Sequence, residues 1–138
     1  GFCPTHEAIE LAEIEAARAE HPGARVLAHP ECGDWVLKEA DFVGSTSQII
    51  AEAVASNASD FIIATVHGVT RELEAQTAGT GKRFWFPRTT PVCPNMARVT
   101  AEKVLACLRD GTGEVSLPDD AVATGSAHAL DLMLDYAK

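Results

Sequence analysis

The segment Phe61-Ile62-Ile63-Ala64-Thr65 places apolar residues side by side without a charge, which is typical of a buried β-strand. The shorter run Arg25-Val26-Leu27-Ala28 has the same character. Longer stretches rich in alanine and glutamate separate such runs along the chain, and these residues favour helices. Because short apolar runs alternate with helical stretches, the pattern predicts the α/β class. We expect a three-layer αβα domain with a short parallel sheet, plus C-terminal helices.

The same alternation predicts the positions of the individual elements. Strands are expected at residues 25–28, 41–43, 61–65 and 83–86. Helices are expected at residues 4–20, 34–40, 48–55, 69–77, 95–109 and 120–136, with Thr46 or Ser47 capping the third. A helix lies between each strand and the next, which favours parallel pairing through right-handed crossovers. We expect residues 1–92 to form the αβα domain and residues 93–138 to form the helical segment.

The composition argues against several classes of protein. The 138 residues are 46% hydrophobic and 22% charged, which is ordinary globular usage and enough for one domain with a core. Acidic residues outnumber basic ones by 20 to 11, the formal net charge is −9, and no basic cluster stands out. Nucleic acid is therefore not expected as a partner. No apolar run approaches the roughly 18 to 20 residues of a membrane span, so a membrane is not expected either.

The four cysteines lack the dense spacing of a disulfide scaffold, which favours a reducing, cytoplasmic setting. Cys107 lies among helix formers and is expected to pack as a small buried hydrophobe. The chain begins with Gly1 rather than methionine, so we expect it to be a piece of a longer protein or a processed product.

Polar residues follow the ends of the predicted strands. His29 and Glu31 follow the first strand, residues 45–47 (Ser-Thr-Ser) follow the second, and His67 follows the third. The carboxyl ends of parallel strands form the ligand crevice of open sheets, so these groups should converge on one edge. The junction at residues 44–47 offers hydroxyls and a helix N-terminus to an anion such as phosphate. An ordinary helix cap with a conformationally free glycine explains the same residues.

Two cysteines share one local context, because Cys3 and Cys93 each precede a proline at a predicted helix start. A cysteine at that position has a lowered pKa, and thiolates bind metals and clusters. The alternative is that Cys-Pro marks a helix start and nothing more. A different metal hypothesis uses Cys3, His6, His29 and Cys32, which have the ligand types and local spacing of a Cys2His2 zinc site.

Four motifs occur in a fixed order along nearly the whole chain. They are Cys3-Pro4-Thr5-His6 (preceded by Gly1-Phe2), His29-Pro30-Glu31-Cys32, Ala40-Asp41-Phe42-Val43-Gly44-Ser45-Thr46-Ser47 and Cys93-Pro94-Asn95-Met96. In this order the motifs resemble the C-terminal part of quinolinate synthase. The resemblance implies a fold of three similar αβα domains around a central site. It also implies an enzyme that condenses iminoaspartate with dihydroxyacetone phosphate to quinolinate in NAD biosynthesis.

The resemblance further implies a [4Fe-4S] cluster held by three cysteines, with one iron left open. By match, Cys3 is the second ligand and Cys93 the third, and we expect their sulfurs to approach each other. The first ligand is expected in the N-terminal part outside this chain, so the chain alone should be inactive. Cys32 and Cys107 match no ligand. The resemblance also implies an oxidase that produces iminoaspartate as a partner.

The resemblance and the residue chemistry together assign roles to the strand-end groups. Glu31 is expected to act as acid and base, and His29 to bind phosphate or orient a polar group. His6 should face the same cavity. Ser45, Thr46 and Met96 complete the predicted substrate-binding set. One departure is the Thr-Val-His-Gly sequence at residues 65–68, where the family usually has an acid after the threonine.

Two other interpretations remain open on the sequence alone. The chain could be a noncatalytic αβα module that binds a phosphorylated metabolite through residues 44–47. It could also be a domain stabilised by the zinc site described above.

Overall fold

A computed structural model describes residues 3–87, 92–116 and 119–137 of the chain. Gly1 and Phe2, which precede the first motif, lie outside the described residues. The chain divides into two compact units, Gly1–Ala97 and Arg98–Lys138. In the described part of the chain, the first unit contains the sheet and the second contains two helices.

The sheet of the first unit has four parallel strands in the order β2-β1-β3-β4. The strands are β1 (Arg25–Ala28), β2 (Phe42–Val43), β3 (Asp60–Ala64) and β4 (Arg83–Trp85). β1 and β3 form the centre, with Arg25 opposite Phe61 and Ala28 opposite Ala64. The predicted parallel sheet is therefore confirmed.

Helices cover both faces of this sheet. They are α1 (Pro4–Glu7), α2 (Leu11–Glu20), α3 (Asp34–Glu39), α4 (Thr46–Ala55) and α5 (Thr70–Gln76), the last preceded by a 3₁₀ turn at His67–Val69. Alternate strand residues point to opposite faces, so each strand contributes to two cores. One core joins Val26 and Ile62 to the helices α2 and α3, and the other joins Leu27 and Phe61 to α4 and α5. This arrangement confirms the three-layer αβα class.

The helix predicted at residues 4–20 is interrupted. Glu10 has an extended backbone (φ −95°, ψ 149°) and begins α2 as its N-cap. The side chains of Glu10 and Glu13 complete a reciprocal capping box, which stabilises the new helix start. Ile9 immediately before it is completely buried in the core. Burial of Ile9 and the capping box outweigh the helix propensity of the surrounding alanines and glutamates.

The helix predicted at residues 95–109 begins later than expected. Residues Met96–Arg98 form a 3₁₀ turn, and the helix α6 spans Ala101–Asp110. The Thr100 side chain caps α6 by accepting a hydrogen bond from the Lys103 N–H at 3.3 Å. Gly111 ends this helix with φ of 65°, a left-handed conformation that glycine adopts without strain.

The second unit consists of α6 and α7 (Asp120–Tyr136), and neither helix has a buried residue among those described. Cys107 in α6 is exposed, so the prediction that it packs as a buried hydrophobe is wrong. The described residues of its unit contain no strand against which the helix could pack. Within the described ranges, none of the helices is both long and apolar enough to cross a membrane.

Candidate active site

The strand order determines where a site can form. From β1 the chain passes to β2 on one side, and later returns to β3 on the other side of β1. The crevice beyond the carboxyl ends of β1 and β3 is therefore the topological switch point of the sheet, where ligands bind in open α/β folds. His29 directly follows β1 and Thr65 directly follows β3, so the two polar residues flank this crevice.

His6 joins the groups at this edge. Its side chain is only 7% exposed, with Nε2 lying 3.0 Å from the Thr65 Oγ1 and Nδ1 lying 3.2 Å from the Glu31 Oε2. The His6 ring stacks on the His29 ring with 4.1 Å between centroids and an interplanar angle of 8°. The structure thus brings together the three predicted catalytic residues, His6, His29 and Glu31.

The environment of His29 favours its neutral form. Burial lowers the pKa of His29, and the neighbouring His6 lowers it further, while Glu31 acts in the opposite direction. The Glu31 N–H donates to the His29 Nδ1 at 3.3 Å, so this nitrogen accepts and Nε2 carries the proton. A neutral His29 can therefore donate a hydrogen bond from Nε2 to an anion.

Cys3 lies beside this histidine and carboxylate network. It is the N-cap of α1 with Pro4 following it, as the sequence predicts. One ligand atom each from Cys3, His6 and Glu31 lies within 4.8 Å of the others. Thiolate, imidazole and carboxylate groups therefore meet at the edge of the sheet.

Cys32 behaves differently from Cys3. Its Sγ donates to the Ala64 carbonyl at 3.3 Å, and burial raises the pKa of Cys32 to about 11. The thiol therefore stays protonated at neutral pH. A zinc ion at the alternative Cys2His2 site would have to break the contact with Ala64 and displace the proton of this buried thiol.

Cys93 is connected to the same part of the first unit through α1. Hydrogen bonds from the backbone N–H groups of Met96 and Asn95 lower the pKa of Cys93 most, burial raises it by a smaller amount, and the Thr5 hydroxyl has the smallest effect and lowers it. The Ala97 N–H donates to the Cys93 carbonyl at 2.9 Å, so the predicted cap begins a single turn and not a long helix. These donors favour a thiolate.

A cavity of about 300 Å³ lies next to Cys93. Met96, which is 68% exposed, lines it together with His67 and Val66. Val66 and His67 belong to the Thr-Val-His-Gly sequence at residues 65–68. Part of this sequence therefore forms the wall of the cavity that contains Cys93.

The predicted phosphate site follows β2. Ser45, and not Thr46 or Ser47, caps α4: its hydroxyl accepts from the Gln48 N–H at 3.4 Å, and its own N–H donates to the Gln48 Oε1 at 2.8 Å. Thr46 is the first residue of the helix and is half-buried. Its hydroxyl is therefore not needed as the cap.

Gly44 is required by packing. A Cβ atom at this position would lie 2.6 Å from the Phe42 Cε1 and 2.9 Å from the Gln48 Cβ. Side chains of Phe42 and Gln48 therefore occupy the space beside Gly44. None of the side-chain hydrogen bonds among the described residues joins Ser45 or Thr46 to His29, so the grouping of the three around one phosphate stays a prediction.

Two threonines of the site were not identified as site residues from the sequence. Thr65 is completely buried and contacts His6, which lies 59 positions earlier in the chain. The sequence signal for Thr65 is that a polar residue directly follows an apolar strand. Thr5 has no comparable signal, because its contact with Cys93 depends on the fold.

The fold and the site define a doubly wound α/β domain with thiol, imidazole and carboxylate groups at its switch point. A family model described as "Quinolinate synthetase A protein" matches residues 1–135. The chain belongs to this family.

Curated relatives agree with this assignment. A quinolinate synthase of Alkaliphilus metalliredigens is 39% identical over 135 residues, which cover 98% of this chain and 44% of the relative. A quinolinate synthase of Caldicellulosiruptor saccharolyticus is 38% identical over 137 residues, which cover 99% of this chain and 44% of that relative. A quinolinate synthase of Chloroherpeton thalassium is 31% identical over 145 residues, which cover 100% of this chain and 44% of that relative. The chain thus spans less than half the length of these relatives.

Proposed function

We propose that the chain is the C-terminal part of a quinolinate synthase, a transferase that condenses iminoaspartate with dihydroxyacetone phosphate to quinolinate in de novo NAD biosynthesis. In this proposal residues 1–92 are its third αβα domain, residues 93–138 are its C-terminal helical segment, and the chain alone is inactive. The observation that carries the proposal is the contact of His6 with Glu31 and Thr65 at the switch point. Family membership supplies the reaction class.

Two cysteines of the chain, Cys3 and Cys93, have the properties expected of ligands to a [4Fe-4S] cluster. Cys3 and Cys93 are free and only partly buried, and hydrogen-bond donors lower the pKa of Cys93. Cys3 and Cys93 would each supply one thiolate, and the third cysteine would come from the N-terminal part of the enzyme. When bound, the cluster supplies an open iron that acts as a Lewis acid toward a substrate oxygen.

Glu31 is the proposed acid and base for the proton transfers of the condensation and dehydrations. Its side chain is 31% exposed, so it can reach both substrate and water. The Nδ1 of His6 lies 3.2 Å from Oε2 and fixes the orientation of the carboxylate. Thr65 holds the other side of the His6 ring at 3.0 Å.

The triose phosphate would bind at the ends of β1 and β2. His29 offers a hydrogen bond from Nε2, and Ser45 and Thr46 offer groups at the start of the ten-residue helix α4. Met96, at the cavity with Cys93, would contact the carbon skeleton of a substrate. Local donors are needed because the net charge of −9 repels anions.

Iminoaspartate must be supplied by oxidation of an amino acid, so an oxidase that produces it is the proposed partner. A reducing cytoplasm is the proposed location, because it keeps the four cysteines reduced. We propose neither a nucleic acid nor a membrane as a partner.

The test is a set of four cysteine-to-serine variants in the complete enzyme, each reconstituted anaerobically with iron and sulfide. C3S and C93S should lose stoichiometric cluster, measured by visible absorbance and by iron and sulfide analysis. C32S and C107S are the matched controls and should retain it. A C3S variant that keeps full cluster content contradicts the assignment. The noncatalytic module predicts no cluster in any variant, and the zinc-stabilised domain predicts bound zinc that depends on Cys32.

A further inference from the structure

The helix α6 of the second unit has one apolar side. Val104, Leu105 and Leu108 follow the three- and four-residue spacing that places side chains on one side of a helix, and charged residues occupy the other side. All three apolar side chains are exposed. In the described part of the chain, none of the residues of α6 is buried. The apolar side of this helix therefore faces water.

A groove of about 430 Å³ adjoins α6 and the residues that follow it. Val104 and Leu108 line the groove from the apolar side of the helix, and the exposed Cys107 lines it beside them. Arg98 and Lys103 are basic residues of the same lining. The groove therefore suits an apolar segment that carries acidic groups beside its apolar residues.

The length of α6 implies that this side is covered by another surface. The helix has ten residues, and isolated helices shorter than about 12 to 15 residues are only marginally stable in water. Thr100 and Gly111 cap its two ends, but most helices in proteins gain their stability from packing of an apolar side. A stable α6 therefore needs a partner surface for Val104, Leu105 and Leu108.

The rest of the same polypeptide is the occupant that the observations favour. Relatives that match almost all of this chain have more than half of their own length outside the match. Under the proposed function, on which this inference rests, that length is the N-terminal part of the complete enzyme. A covalently linked segment meets the groove at a high effective concentration. A second copy of the chain is disfavoured, because each copy has a net charge of −9 and the copies repel each other.

We propose that the apolar side of α6 and the adjoining groove form a docking surface for the N-terminal part of the complete enzyme. Docking there buries Val104, Leu105 and Leu108. It also holds the C-terminal helical segment against the N-terminal part at a place remote from their covalent connection.

Alkylation of Cys107 reports whether the groove is covered, because this exposed thiol lines it. Its rate with iodoacetamide is measured by mass spectrometry in the 138-residue chain and in the complete enzyme, each relative to the rate in denaturant. We expect Cys107 to react about tenfold or more slowly in the complete enzyme than in the chain. Equal rates would overturn the proposal. So would protection of Cys107 in the monomeric chain, or protection that appears only when the chain dimerises, because residues of this chain would then cover the groove.

A matched pair of variants of the complete enzyme locates the surface. Leu108 and Val115 are both 81% exposed, but only Leu108 belongs to α6 and lines the groove. L108K places a charge in the docked surface and should return the alkylation of Cys107 to nearly its rate in the 138-residue chain. V115K should leave the slow rate unchanged. Equal rates in the two variants would overturn the proposal, and circular dichroism verifies that both are folded.

Cluster content of the same samples separates this proposal from the proposed function. A complete enzyme that holds the cluster but alkylates Cys107 rapidly would contradict the docking surface alone. A complete enzyme that protects Cys107 but holds no cluster after reconstitution would support the docking surface and contradict the proposed function.

Discussion

Two helices of equal length behave differently in the two units. α4 and α6 each span ten residues, and each begins at a hydroxyl side chain that accepts a backbone hydrogen bond. α4 buries Ile49 and Ala53 against the sheet, whereas α6 buries none of its residues. Val104, Leu105 and Leu108 of α6 are exposed.

The two helices differ in packing against the sheet and not in the local sequence signals that begin and end them. Capping and propensity are sufficient to specify the ends of both helices. Only the helix packed against parallel strands gains the free energy of burying apolar side chains. His29 and Thr65 of the candidate site likewise lie side by side because the strands that precede them are paired, and His6 reaches them from α1.

Removal of a large apolar side chain should lower the free energy of unfolding strongly in the first unit and hardly at all in the second. Phe61 is completely buried in β3 and packs against Phe84 with 5.7 Å between ring centroids. F61A should lower the free energy of unfolding by about 3 to 5 kcal/mol. L108A in α6, where the side chain is 81% exposed, should change it by less than about 0.5 kcal/mol. Urea unfolding followed by circular dichroism measures both, and equal losses would remove the distinction between the two units.

Substitution of the threonines at the starts of α4 and α6 should have different effects on substrate affinity and on stability. Hydrogen bonds to a charged group contribute about 1.5 to 3 kcal/mol, so T46V should weaken phosphate-substrate binding by about 10- to 150-fold in the complete enzyme. Because Ser45 is the cap of α4, T46V should not destabilise the helix through loss of its cap. T100V removes the cap of α6 and should cost about 1 kcal/mol of stability without changing the affinity.

Substrate affinity and melting temperature should be measured on the same two variants. An unchanged affinity in T46V would remove Thr46 from the phosphate site. A loss of affinity in T100V equal to that in T46V would show that the effect is not local.

A smaller effect is expected in the pH dependence of thiol alkylation. The pKa of Cys32 is raised to about 11, whereas that of Cys93 is lowered from its usual value, so at pH 8 the thiolate fraction of Cys93 is the larger by about 100-fold or more. The lower nucleophilicity of the more acidic thiolate offsets part of this advantage, leaving about a tenfold faster reaction. The rate at Cys32 should continue to rise with pH toward about 11, and that at Cys93 should level off earlier.

Mass spectrometry of the chain treated with iodoacetamide between pH 7 and 10 gives these rates. Cys107 is exposed in the second unit and serves as the accessible reference. Reaction of Cys32 at the rate of Cys93 throughout would contradict the assigned environments.

The fold was largely predictable because its signals are local. Apolar runs such as residues 61–65 mark the strands, and the helices between them imply parallel pairing. The break at Glu10 was not anticipated, since it depends on the tertiary burial of Ile9. Cys107 was misjudged because helix formers around a cysteine specify a helix but not a partner for its face.

The site was predictable only in part. His29 and Glu31 follow a strand directly, so the strand-end rule locates them. The contact between His6 and Thr65 spans 59 positions and exists only when α1 lies over the end of β3. The assignment of the helix cap to Ser45 depended on a choice among adjacent hydroxyls that only backbone geometry decides.

The most direct test of the proposed chemistry is the turnover of the complete enzyme carrying E31Q, with E114Q as the matched control. Glu31 contacts His6 at the switch point, whereas Glu114 is an exposed residue of the second unit. We predict that E31Q retains the fold and cluster but forms quinolinate about 100-fold more slowly, the usual cost of losing a general acid or base. E114Q should keep the parent rate. Parent turnover in E31Q with full cluster content would contradict the account.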